Sequence, residues 1–453
     1  MRFPFLAKLV SIGGIALMVL APLALTRGKI EERQRLSQDA RASIAESSAG
    51  EQRLAAPTLR LTCIETYWHE RSTDDNGRNR VVREEKEREC PPTYVAPEAI
   101  SLQGRIDLED KPRYRGIHRV RLYRAPLALA GHFHLPAAPE QKPATTRRFD
   151  QAHLLVPIAD ARGVKNTPAL QLNGKTHAFK PGTRTPALGQ GLSAELGAAS
   201  ELGKEATFRF DLDLMGMERF AWVPFARNAQ IELASNWPAP GFGGKFLPDE
   251  RTISDAGFNA TWRINEFASG GEAALRDWLA RPNAEQAPPF APPALSVNLI
   301  EPVNLYLQAY RAAEYGFLFV GLTFLLVLGF ELSGTARVHP MQYGLVGLAL
   351  AVFFLLLIAL AEHIGFANAY GVAALGCVGL VTWYAIGRLG GIRRGLAVGT
   401  ACAALFAVLH MLLRSEDYAL LMGALLVFAV LAAVMLATRK LDWYGLGEGI
   451  ATR

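Results

Sequence analysis

The chain has 453 residues, half of them apolar and 20% charged, with a formal net charge of +6. That balance excludes a disordered or collagen-like polymer, and the length predicts more than one domain. The excess of positive charge comes without any basic run interleaved with aromatic residues, so nucleic acid is not an expected partner.

Charge is unevenly spread. Between Ala313 and Thr438, 126 positions hold ten charged residues, five acidic and five basic, and the other 327 hold 80. A water-soluble part of ordinary charge density therefore precedes a lipid-soluble part.

In chain order, Arg2 and Lys8 precede an apolar run from Leu9 to Leu25. It predicts an N-terminal transmembrane anchor over residues 1–26. The rival reading is a cleaved signal peptide, against which Pro22 falls where the segment would end and no small-x-small cleavage site follows. Ile30 to Ser47 reads as a polar helix, too sparse in apolar residues to be buried, standing on the membrane as a stalk.

From Leu59 the pattern turns to the alternation of strands, with Leu59, Leu61 and Cys63 on one face, and later Phe208, Phe210, Leu212 and Leu214. Further strands are predicted at His153 to Ile158, Gln230 to Ala234, Thr261 to Phe267 and Ser296 to Ile300, separated by turns at Asn76-Gly77, Asn173-Gly174 and Pro181-Gly182. The expectation is an exported, β-rich, sandwich-like domain over residues 27–312. A proline-rich stretch from Arg281 to Pro293 closes it. Cys63 and Cys90 lie in this part, whereas Cys377 and Cys402 lie in apolar helices. If Asn76-Gly77 is a two-residue hairpin loop, residues pair when their numbers sum to 153, so Cys63 faces Cys90 and a disulfide is expected, provided no bulge intervenes.

Five apolar runs follow: Tyr315 to Leu332, Gly344 to Ala361, Phe366 to Leu389, Gly395 to Leu413 and Ala419 to Ala437. Each matches the roughly 20 residues that cross a bilayer core, so residues 313–438 read as a five-helix transmembrane bundle, with a cytoplasmic tail at 439–453. One set of helix ends carries Arg337, Arg388, Arg393, Arg394, Arg439 and Lys440, and the opposite set only Arg414. The positive-inside rule then puts both termini in the cytoplasm and the β-rich domain in the periplasm of a bacterial inner membrane.

Chemistry-bearing motifs are few. There is no Walker A sequence, no G-x-S-x-G, no H-E-x-x-H and no C-x-x-C, so neither a catalytic site nor a cofactor or metal site is expected. Gly241 to Lys245 (GFGGK) has a phosphate-loop flavour but reads better as a tight turn between Pro240 and Pro248. His132 and His134 share a strand face and lack a third ligand. Glu331, Arg337 and His339 mark one set of helix ends. Glu362, His363, His410, Arg414, Glu416 and Asp417 mark the other, where they anchor the helices at the interface or form a polar cluster for an ion, proton or lipid head group. A Glu362–His410 pair would depend on lateral packing. Tyr343, Trp383, Tyr384 and Tyr418 fit interfacial aromatic anchors.

The runs RVHPMQYGLVGLAL (337–350), LAEHIGFANAY (360–370) and EDYALLMGALLVFAVLAAVMLATRKLDW (416–443) closely resemble the inner-membrane protein CreD family. So does NWPAPGFGGKFLPDERTISDAGFNATW (236–262), where the family's W-x-x-P-x-F-x-G-x-F-L-P core is matched by Trp237, Pro240, Phe242, Gly244, Phe246, Leu247 and Pro248. The likeness spans nearly the whole chain. Ala239 and Gly241 stand where the family usually has His and Ser, which argues against an essential role for either type there. The resemblance implies a non-enzymatic envelope protein, associated with a two-component regulon, envelope stress and colicin tolerance, that brings no reaction, cofactor or ligand with it. The expected partners are membrane lipid and another envelope protein or a cell-wall component. The alternative is a transporter or lipid-handling protein using the outer polar cluster.

Overall fold

The computed structural model of the chain describes residues 3–75, 78–142, 145–280, 292–299, 305–332, 338–388, 391–414 and 419–439. They fall into two units, residues 39–302 and residues 1–38 with 303–453.

The first unit is built of strands because apolar and polar residues alternate: in Glu205–Met217, Phe208, Phe210, Leu212 and Leu214 are buried while Arg209 and Asp211 between them are exposed. Its strands are β1 (Gln52–Ala55), β2 (Thr58–Asp75), β3 (Arg78–Val95), β4 (Ala99–Leu108), β5 (Arg113–Arg115), β6 (His118–Val120), β7 (Leu122–His134), β8 (Thr145–Pro157) and β9 (Ala169–Leu172). They continue as β10 (Lys175–Pro181), β11 (Gly191–Ala198), β12 (Glu205–Met217), β13 (Arg219–Val223), β14 (Asn228–Ser235), β15 (Gly241–Gly244), β16 (Glu250–Ser254), β17 (Gly257–Asn265) and β18 (Leu295–Asn298). Twelve form one sheet in the order β16-β17-β14-β4-β7-β12-β9-β10-β11-β8-β2-β3, and β1-β13-β18-β15 form a second. Residues of both sheets share one buried cluster that includes Leu102, Leu129, Phe208, Trp222, Trp262 and Leu295. Two sheets closing on one core is the sandwich-like element of the expectation, although the larger sheet is far wider than its cover.

The hairpin β2–β3 keeps the predicted register, with Asp75 opposite Arg78 and Cys63 opposite Cys90. Residues 76 and 77 themselves lie outside the described residues. The register slips by one between Leu61 and Cys63, so the bulge that could have separated the cysteines falls just beyond them. Cys63 and Cys90 form a disulfide with a Cα separation of 5.0 Å.

Three local expectations are corrected. The GFGGK segment is an edge strand, not a tight turn, because Gly241 and Gly243 let β15 lie against Asn298 and Ser296 of β18. Strand β17 ends at Asn265 rather than Phe267: the Asn265 side chain accepts from the Ala268 amide at 3.2 Å and caps a short helix, α2 (Glu266–Ser269). Phe267 is left almost fully exposed. The predicted stalk is not a separate element, since one helix runs from Phe3 to Ser47. We number it α1. Its few apolar positions suffice for packing: Ile30 sits among Tyr306, Ala309, Ala313 and Ile358, and Ile44 among Val120, Leu122 and Met217. Of the proline-rich stretch, residues 281–291 lie outside the described residues.

After the β unit's short α3 (Gly271–Leu279) come α4 (Leu305–Leu332), α5 (Pro340–Ile364), α6 (Phe366–Arg388), α7 (Ile392–Arg414) and α8 (Ala419–Thr438). The first part of α1 and helices α4 to α7 are long and apolar enough to cross a membrane, and α8 is a further 20-residue apolar helix. With no hydrophobic drive between helices in lipid, close packing of small residues must hold them. A methyl group at Gly347 of α5 would meet Val19 of α1 and Phe324 of α4, and one at Gly399 of α7 would meet Thr382 of α6. Pro22 is accommodated within α1, where its carbonyl accepts from the Thr26 hydroxyl at 2.9 Å.

Serine replacement of Cys63 and Cys90 releases a closed loop of sequence separation 27, a loss of about 3 kcal/mol by loop-closure entropy. Chemical unfolding of the full chain with and without reductant should show that loss in the wild type, and no reductant effect in the double variant. Alkylation of both thiols without prior reduction would exclude the bond.

Candidate functional site

Two carboxylates in the helical unit are largely buried, and both reach α1. Glu331, near the end of α4, pairs with Lys8 of α1 and accepts from the Val338 amide at 3.0 Å and the Tyr343 hydroxyl at 2.9 Å. Tyr343, expected as an interfacial anchor, is instead fully buried, because its hydroxyl finds this carboxylate and its ring stacks edge-on with Phe324. Glu362, near the end of α5, keeps only 5% of its side chain exposed. It accepts from the Tyr306 hydroxyl of α4 at 3.2 Å and lies 3.9 Å from Arg33 of α1. Each buried charge is thus paired with a cation and hydrogen-bonded by a tyrosine, which offsets the cost of taking it out of water. The N-terminal helix is held in its unit at both ends.

The other members of the predicted polar cluster are placed elsewhere. His363 and Arg414 are exposed. His410 packs on the ring of Tyr370, 4.9 Å between centroids, and Tyr370 spends its hydroxyl on the Phe406 carbonyl at 2.6 Å. The polar contacts of Glu362 run to Tyr306 and Arg33 rather than to His410. Glu416, Asp417, Arg337 and Tyr418 lie outside the described residues.

Sequence reasoning found both glutamates and missed their partners Lys8 and Arg33. A signal existed: these cations are 25 residues apart on one helix, about 38 Å at the α-helical rise, close to the thickness of a bilayer with its interfaces.

In the β unit, the Trp237-to-Pro248 motif braces one end of the core. The Trp237 indole donates to the Ala239 carbonyl at 2.8 Å, and the Arg121 guanidinium lies 5.6 Å from its ring centroid. Phe242 stacks edge-on against Phe258 and Trp262, and the Trp262 indole donates to the Phe246 carbonyl at 3.3 Å. Gly244 has φ +87°, and a Cβ there would collide with the Ala294 carbonyl, so glycine is required. Pro240 and Pro248 flank this strand and Leu247 is exposed. The motif is a packing device with one apolar side chain left outside.

The solvent face of the large sheet carries a shallow groove of about 590 Å³ across β17, β14, β4, β7 and β12. Ser101, His132, Thr207, Asn228, Gln230 and Arg263 supply its polar groups. His132 and His134 lie side by side on β7 as expected, and no group of three His, Cys, Asp or Glu able to hold a metal occurs among the described residues.

Further along the same sheet, Glu65 on β2 is buried between its two register partners, Arg88 on β3 and Arg147 on β8. Arg88 donates to it at 2.6 Å, Arg147 at 2.9 Å and the Thr145 hydroxyl at 3.1 Å. The Arg88 bond first, then that from Arg147, holds the Glu65 carboxyl down at about 2.

Two predictions follow from these carboxylates. In a double-mutant cycle of Lys8→Met and Glu331→Gln, thermal unfolding should report a coupling of about 1–3 kcal/mol; strictly additive losses would remove the clamp. For Glu65, a folded pKa below the unfolded value of about 4.3 means stabilisation that is full above that value and lost as pH falls toward 2. Glu65→Gln should therefore flatten the acid limb of the stability profile between pH 5 and 2, and parallel limbs would contradict the assignment.

Comparison with known proteins places the chain. The family profile described as inner membrane protein CreD matches residues 4–444. The Inner membrane protein CreD of Escherichia coli (strain K12) is 32% identical over 447 residues, 98% of this chain and 95% of that one. Among solved structures, an M1 zinc metallopeptidase from Deinococcus radiodurans aligns with 45% of this chain and 42% of its own at 9% identity and TM-score 0.22. A mutant of that enzyme bound to a Tyr-Ser-Ala substrate aligns over the same shares at 10% identity and TM-score 0.21. Likenesses this slight bear on neither fold nor chemistry.

Proposed function

The chain belongs to the CreD family of inner-membrane proteins, and from that premise we propose that it is a non-enzymatic envelope protein whose exported β domain engages another envelope component while its helices hold it in the membrane. The observation that carries this reading is the distribution of cysteine chemistry. Cys63 and Cys90 in the β domain are joined, as befits an oxidising compartment, whereas Cys377 and Cys402 in the helices are free. The positive-inside rule independently favours the same side: Arg388, Arg393, Arg394, Arg439 and Lys440 gather at one set of helix ends. Both termini are then cytoplasmic, the β domain is periplasmic, and the N-terminal helix stays uncleaved as part of the bundle that Lys8 and Arg33 tie it to.

The engagement surface is the polar groove on the large sheet, whose amide, hydroxyl and imidazole groups can both donate and accept. Membrane lipid is the second partner. An apolar groove of about 490 Å³ between α5 and α6, lined by residues such as Leu348, Val352, Phe353, Leu380 and Tyr384, supports that reading. It does not include His410, so a lipid-handling role through the outer polar cluster has less support.

Reporter fusions after Gly50, Ala336 and Lys440 should read outside, inside and inside; a cytoplasmic signal after Gly50 would overturn the topology. A photo-crosslinking residue at Gln230 or His132 should capture one defined envelope component in living cells, and the same residue at the exposed Glu201 should not. Identical adducts from all three positions, or none from the groove, would remove the engagement reading.

A further inference from the structure

A second polar site lies on the large sheet, beyond the groove and unrelated to the family motif. Arg60 of β2 is the register partner of His153 of β8, and His153 that of Glu195 of β11. Ser193 lies two residues from Glu195 on the same face, and Lys180 of β10 pairs with Ser193. Register partners point to one side of a sheet, so these five side chains share a face within a few strand spacings.

Over them passes the loop between β10 and β11. Thr183 braces it by donating to the Gly189 carbonyl at 2.6 Å, and Thr185 pins it to Tyr94, the β3 partner of Arg60, at 3.1 Å. Arg184 in this loop has φ +55°, a conformation that costs a residue with a Cβ and is met at functional sites. It brings the guanidinium down to Glu195 and to within 3.2 Å of His153 Nε2.

Protonation follows from that last contact. A guanidinium can only donate, so His153 Nε2 is the acceptor and the ring proton sits on Nδ1. Nδ1 is buried and has no partner among the described residues; neither do Arg60 Nε and Ser193 Oγ. His153 is 8% exposed and Ser193 2%. Buried polar groups are nearly always satisfied, and here three orphaned groups, each carrying a hydrogen to donate, gather on neighbouring strands. Charge agrees with donor count. Lys180 and Arg184 share the single carboxylate of Glu195, and no ion pair engages Arg60 among the described residues, so cations outnumber anions. Burial first, then the charges of Arg184 and Arg60, hold the His153 imidazole neutral.

We propose that Arg60, His153, Ser193, Lys180 and Arg184 form a binding site for a phosphate-class oxyanion, free or as the head of a larger molecule. Donors from four strands and from the loop above them suit the several oxygens of a tetrahedral anion better than a planar carboxylate. The site deepens the proposed engagement of an envelope component by naming a chemistry for it.

The test is the line width of inorganic phosphate in ³¹P spectra, titrated with the full-length protein in detergent. Wild type should broaden the line saturably. Arg60→Gln should weaken the effect at least tenfold, Ser193→Ala about threefold, and Arg209→Gln, an exposed arginine of β12, not at all. The Ser193→Ala change removes one hydroxyl and keeps the test independent of misfolding. Competition by dioctanoyl phosphatidic acid at tenfold lower concentration than phosphate, with dioctanoyl phosphatidylcholine inert, would support the site with a lipid head group as its source; equal competition would support it with free phosphate. Absence of saturable broadening, or equal broadening by wild type, Arg60→Gln and Ser193→Ala, would overturn the proposal. Phosphate binding without any crosslinked component would leave this site standing and remove only the engagement reading.

Discussion

Every part of this protein answers one constraint: each backbone and side-chain polar group must find a partner, and the chain must meet that demand in two solvents. In lipid the backbone must satisfy itself internally, and the long apolar segments of the described chain do so as helices. In water it can be satisfied between strands, so the polar part spreads into a sheet of twelve whose edges are the only strands left half-paired. The two edges are managed differently. Strand β3 is dense in Arg and Glu along its solvent side, and β16 is short and exposed throughout.

The same constraint explains why α1 belongs to the helical unit. Glu331 and Glu362 are largely buried, and a carboxylate so withdrawn from water is costly without a cation. Lys8 and Arg33 supply the cations, one near each end of the apolar run. Gly347 and Gly316 let that run approach α5 and α4 closely enough for the pairs to form, since Val19 and Leu23 occupy the space a larger side chain would need. Packing and charge are therefore coupled along a single helix.

The sequence was most legible where contacts are local. The β2–β3 hairpin could be read to the residue because a two-residue loop sets the register arithmetically, and Cys63 opposite Cys90 follows from it. Helix lengths were legible because lipid thickness dictates them. The order of the twelve strands was not, because β4 lies beside β14, whose Asn228 pairs with Ala99 from 129 positions earlier, and no periodicity encodes that pairing. The continuity of α1 was missed for a related reason: Ile30 and Ile44 are too few to make an apolar stripe, and each is buried by a separate cluster that only the fold assembles. GFGGK was misjudged because glycine signals both turns and close strand approach, and only the neighbouring β18 tells them apart.

Strand β2 carries the contrast from which function can be argued. At Glu65 the partners on both flanking strands are arginines, a threonine adds a third bond, and the carboxylate is fully engaged. Five residues earlier, Arg60 has Tyr94 on one side and His153 on the other, neither of them an acid. The two positions share a strand and a pair of neighbouring strands. At the first, the one carboxylate is bonded by both arginines and by a threonine hydroxyl. At the second, cations, an imidazole N–H and a hydroxyl are gathered under a loop held by a left-handed Arg184, with acceptors in short supply. A fold that completes one such cluster has the means to complete the other. Leaving donors unspent costs stability, and an acceptor arriving from outside the chain is what would offset it.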